Sequence, residues 1–146
     1  VAERVPLAQR LAPELAAPLP LAAIALLVAN DHVLKARFPG AVTGKLSDVA
    51  GCFVLPLLVS ALAGLATRWT LRARLALGAA LTGALMLAMK LSPAGADLVA
   101  SALAAAWRPL GVRSGPIAAD PTDLLAVPFA LAAFWYGARR ARGSEG

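Results

Sequence analysis

Charge is scarce in this chain. Of its 146 residues only 15% are Asp, Glu, Lys or Arg, against about a quarter in soluble domains, while 60% are hydrophobic and the mean hydropathy is +0.73. This deficit argues against both a water-soluble domain and a disordered tail. A single cysteine, Cys52, leaves no partner for an internal disulfide, so a disulfide scaffold is excluded. A single histidine, His32, with no zinc-type Cys/His spacing, gives no basis for a metal site, and no cofactor is expected. Aromatics are few at 5%, too sparse for the basic, aromatic-interleaved face of a nucleic-acid binder, so the net charge of +6 does not point to nucleic acid. No nucleophile-elbow motif, HExxH or complete phosphate loop is present, which leaves the question of catalysis open.

What the chain has is apolar blocks of membrane-crossing length. A bilayer core needs about 20 helical residues, and four stretches qualify, at 20–37, 47–66, 72–91 and 121–138. Pro20 suits the first helical position, Phe38-Pro39-Gly40 is a stop, and Ser47 reads as an N-cap. Phe134-Trp135-Tyr136 forms an interfacial belt at the end of the last span. Residues 94–108 are helical in pattern but, at about 1.5 Å per residue, short for a crossing, so they read as an interfacial or re-entrant helix. Residues 5–19, with Pro6, Pro13 and Pro18, read as an interfacial helix ahead of the first span. The expected fold is therefore all-α: one integral membrane domain over 1–146, a four-transmembrane-helix bundle with short interfacial helices.

The arginines orient it. Arg68, Arg72 and Arg74 form one tract and Arg139, Arg140 and Arg142 another, and both fall on the cytoplasmic side if 94–108 does not cross. This predicts a multi-pass protein of a bacterial-type inner membrane with both termini inside. The opposite mouth then receives the five aspartates, the three lysines and the histidine. Ionisable groups at the ends of membrane helices are costly unless paired or wet, so this collection is the candidate site.

Three elements compose it. In Asn30-Asp31-His32-x-x-Lys35, Asp31 and Lys35 stand at the i,i+4 spacing of a helical ion pair, with His32 turned about 100° away. In Thr43-Gly44-Lys45-Leu46-Ser47-Asp48, backbone amides ahead of a helix, two hydroxyls and a Lys suggest an anion cradle, with a simple capped turn as the plain alternative. Asp120-Pro121-Thr122-Asp123 reads as a helix start with Asp120 and Asp123 as site acids, and Lys90 is expected to meet Asp48 or Asp123 across the mouth. An anionic head group of a membrane lipid or envelope intermediate is the expected ligand, with Lys45 and Lys90 on the phosphate and His32 as acid or base if chemistry follows. The alternatives are an accessory subunit that docks a larger membrane-protein partner or a second copy through small-residue faces such as Gly78 with Thr82, and proton or cation transport.

Overall fold

The computed structural model describes residues 14–111, 117 and 119–143. Among these the chain is all-α, with five helices. Helix α1 runs Pro18–Arg37, α2 Ala41–Ala66 and α3 Leu71–Leu91, and these three are long and apolar enough to cross a membrane. After them come α4, Pro93–Trp107, a six-residue 3-10 helix at Pro121–Ala126, and α5, Pro128–Gly143.

Three spans, not four, therefore meet the length requirement. The expected helix at 121–138 is broken because Pro128 has no N–H to give the preceding turn, so the chain makes a 3-10 segment and then starts a new helix of only 16 residues. That helix continues past 138 and carries the arginines in its last turns. The start of α2 also differs from expectation: Gly40 is the N-cap, and Thr43, Gly44, Lys45 and Ser47 all lie inside the helix. Thr43 closes the first turn by donating from Oγ1 to the carbonyls of Gly40 (3.0 Å) and Phe38 (3.1 Å). At the other terminus, α1 begins at Pro18, two residues before the expected Pro20, and residues 14–17 form turns rather than helix; the remainder of the expected interfacial helix at 5–19 lies outside the described residues. The segment expected at 94–108 is a helix, α4, with Ser92 as its N-cap accepting from the Gly95 amide.

Helix α2 is central, packing against α1, α3 and α5, whereas α4 packs chiefly on α3. Leu57 of α2 and Leu75 of α3 are fully buried with Ala133 and Ala138 of α5, and a second core joins Cys52, Met86 and Ala126. Phe53 and Tyr136 meet at 5.8 Å between ring centroids, tying α2 to α5. Outside this seam, apolar side chains face outward: only 11%, 44% and 33% of the spans' most apolar windows are buried. Leu62, Leu65, Leu81 and Leu131 are all at least half exposed, as expected where lipid replaces water around the bundle.

Helices α2 and α3 approach closely at Pro56 and Gly78. A Cβ on Gly78 would overlap the Pro56 carbonyl oxygen, so glycine is what lets the two backbones meet. Since α5 brings Gly137 against Leu75, its arginines reach the same end of the bundle as Arg72 and Arg74. Gly78→Ala is expected to destabilise the detergent-solubilised protein by about 1–3 kcal/mol because the helices must part, whereas Gly83→Ala, whose Cβ meets nothing within 4 Å, is expected to be neutral or stabilising. Thermal unfolding of the two variants in parallel checks this.

Candidate functional site

Helix α2 enters the bundle beside the end of α3, which places Asp48 opposite Lys90. The 3-10 turn that opens the last segment adds Asp123 to the same point. Lys90 is 7% exposed and donates to Asp123 Oδ2 at 2.7 Å, with Asp48 Oδ2 at 3.2 Å. Asp123 uses its other oxygen on Lys45, whose ammonium lies 2.9 Å from Oδ1 and 2.6 Å from the Thr122 hydroxyl. Thr122 in turn donates to Asp120 Oδ1 at 2.8 Å, and Asp120 accepts the Thr122 amide as an N-cap. Two lysines and two aspartates thus form one charge-balanced network spanning α2, α3 and the 3-10 turn.

Asp123 sits outside the three spans. Burial pushes its pKa up, but the hydrogen bonds donated by Lys90 and Lys45 outweigh this and hold the carboxyl below its ordinary value. Asp120, at the surface, is also held low, chiefly by the hydroxyl and amide of Thr122.

A second group lies alongside. Asn30 is fully buried where α1 widens into a single π-helical turn, Asn30–Leu34, closed by the Lys35 amide donating to the Asn30 carbonyl. Its Nδ2 donates to Thr43 O (2.6 Å) and Ser47 Oγ (2.7 Å), so one side chain fastens α1 to the start of α2. Ser47 passes the chain on by donating to Asp31 Oδ1 at 2.6 Å, and Lys35 pairs with the same oxygen at 2.7 Å. π-Turns of this kind insert one residue into the helix and re-aim the side chains beside it.

The structure therefore brings together Lys45, Asp48, Lys90 and Asp123, with Asp120 at the edge, and separately Asp31, Lys35 and Ser47. His32 and Thr43 join neither as functional groups. His32 is exposed with Nδ1 3.0 Å from the Val28 carbonyl, and Thr43 is committed to its own turn. The anticipated amide cradle before α2 is absent, because the N–H groups around Lys45 belong to the helix ladder. Ser47 is a relay between Asn30 and Asp31 rather than an N-cap. Among the described residues no three His, Cys, Asp or Glu side chains group as a metal site.

A cluster not anticipated from the sequence closes the opposite end. Glu14, with its side chain 2% exposed, accepts from Ser60 Oγ at 3.0 Å and lies 3.8 Å from Arg74 Nη1, which also donates to the Ser60 carbonyl at 3.1 Å. Gly64 makes the room: a Cβ there would collide with the Arg74 guanidinium. The available signal was Ser60 inside an apolar run with glycine one turn later.

No protein-family model, curated protein or solved structure matches the chain, so the roles of these residues rest on its own geometry.

Lys90→Met leaves two largely buried carboxylates facing each other and is expected to cost about 3–5 kcal/mol, measurable as a large drop in melting temperature. Because the folded Asp123 carboxyl titrates below its unfolded value of about 3.9, its contribution is complete above that pH and is lost as pH falls through the folded value. The melting temperature of the unaltered chain is thus expected to fall more steeply than that of Asp123→Asn as pH drops below about 4.

Proposed function

We propose that this is a small multi-pass membrane protein that holds the anionic head group of a membrane lipid, or of a lipid-linked envelope intermediate, at Lys45. The observation that carries the reading is the setting of that lysine. Its side chain is 40% exposed at the rim of a notch of about 240 Å³ whose polar wall is Lys45, Asp48, Thr122 and Asp123 and whose apolar wall includes Val49, Leu125 and Phe129. An ammonium has three donors; Thr122 and Asp123 take two, leaving one for a phosphate oxygen. Lys90 has the other role. Enclosed by Asp48 and Asp123, it orients the acid that orients Lys45, and does not face the ligand.

The proposed setting is a bacterial-type inner membrane with the arginine end cytoplasmic, which both arginine tracts at one end of the bundle support. The transport alternative lacks a route: no Asp, Glu, Lys, Arg or His lies between Asp48 and Ser60 in α2 or between Arg74 and Lys90 in α3. Docking to a larger membrane partner or a second copy is the second reading, favoured by a groove of about 580 Å³ along Ala76, Ala80, Gly83 and Leu87 of α3 beside Leu131 and Phe134 of α5.

The test is retention of phosphatidylglycerol by the detergent-purified chain, read by native mass spectrometry against phosphatidylcholine as the neutral control. Lys45→Ala is expected to cut phosphatidylglycerol retention about tenfold, a loss near 1.4 kcal/mol, while Lys45→Arg retains it and phosphatidylcholine is unaffected by either. Equal phosphatidylglycerol retention in Lys45→Ala and the unaltered chain would remove the proposal.

A further inference from the structure

A second cavity lies on the other side of Asp48, and it calls for different chemistry. Because α1 packs chiefly on α2, a cleft of about 300 Å³ remains over the face of α2, between Leu27 of α1 and Leu85 and Met89 of α3. Its floor is Gly51, Val54, Leu55 and Leu58, and its polar end is Ser47 and Asp48. From Ser47 to Leu58 the helix rises about 16 Å, and the wall also holds Cys52 and Thr82, whose hydroxyl is spent on the Gly78 carbonyl, so the cleft is a mainly apolar slot with one charged end, of the size at which small-molecule sites begin, about 300 Å³.

The polar end accepts and does not donate. Ser47 Oγ already spends its proton on Asp31 and takes one from Asn30 Nδ2. Asp48 meets Lys90 through Oδ2 and lines the cleft as a carboxylate, which accepts. Lys90 does not line the cleft. An occupant must therefore bring the donor. An anion would meet the Asp48 carboxylate without a cation to receive it. A cation would add an uncompensated charge, because Lys45 and Lys90 already balance Asp48 and Asp123. A neutral hydroxyl is the head group that fits both conditions.

We propose that this cleft binds a single-chain amphiphile with a neutral hydroxyl head, the chain lying along α2 and the hydroxyl donating to Asp48. The cleft shares Asp48 with the Lys45 notch but opens on the other side of it. Gly51 keeps the slot open: a Cβ there meets nothing within 4 Å, so a larger side chain grows into the space the ligand's chain would fill rather than into the protein.

The experiment uses the full chain in phosphatidylcholine vesicles and a photoactivatable diazirine derivative of a long-chain primary alcohol, with cross-links mapped by peptide mass spectrometry. Labelling is expected to concentrate on residues 51–58 and 85–89, to be suppressed about tenfold by excess dodecanol, and to persist under equal dodecyl phosphate or dodecylammonium. Gly51→Leu is expected to cut labelling there by a similar factor, whereas excess phosphatidylglycerol in the vesicles leaves it unchanged and so separates this site from the phosphatidylglycerol site. Labelling spread evenly over outward leucines such as Leu62, Leu65 and Leu81, or suppression by dodecyl phosphate equal to that by dodecanol, overturns the proposal. The competition series needs no variant, so it decides the matter even if Gly51→Leu does not fold.

Discussion

One ammonium, that of Lys90, organises this end of the molecule. It is buried where α2, α3 and the 3-10 turn meet, and two carboxylates from separate elements converge on it. In a low-dielectric surrounding neither carboxylate nor the lysine tolerates being alone, so the need for neutrality joins the core of Cys52, Met86 and Ala126 in holding the three elements in register. The consequence reaches Lys45. Asp123 bridges the two lysines with its two oxygens, so the buried pair fixes the position of the exposed one. An outward-facing cation is thereby presented from a rigid base, which is the condition for selective recognition rather than loose surface attraction.

The seam of the bundle follows a different rule. Between its charged ends, α2 and α3 are held by backbone approach at Pro56 and Gly78 and by the small apolar core of Leu57, Leu75 and the alanines of α5. Polar atoms there are turned inward on their own helix, as with Thr82, which donates to the Gly78 carbonyl at 2.8 Å. Specific polar contacts are thus concentrated at the two ends, and the middle is held by shape.

Much of the fold was legible because hydropathy and length alone mark apolar helices, and the first three spans follow from that. Helix breaks were less legible. Pro128 was visible as a residue, but inside an apolar run its missing N–H counts for more than the run's hydropathy, so the last segment splits. Gly44 misled in the opposite direction: it suggested a turn, while Thr43 bonds back to Gly40 and Phe38 and carries the helix through it. At the site, the meeting of Lys90 with Asp48 and Asp123 could be anticipated, since lone charges at equal depth must pair. The part played by Asn30 could not, because it depends on a π-turn that leaves no periodic trace in the sequence. Arg74 reads in the sequence as a topological signal, and its approach to Glu14 depends on a space at Gly64 that only the folded chain reveals.

The Glu14 cluster bears on biogenesis. Glu14 precedes the first span and Arg74 stands in the third, so a ribosome makes the acid well before its base. Until α2 and α3 have paired, Arg74 is not at hand, and the carboxylate's natural refuge is water. The turn at 14–17 can tuck under the bundle only afterwards. Closure of this end accordingly requires α2 and α3 to be paired already, which makes it a property of the assembled bundle and not of any single helix.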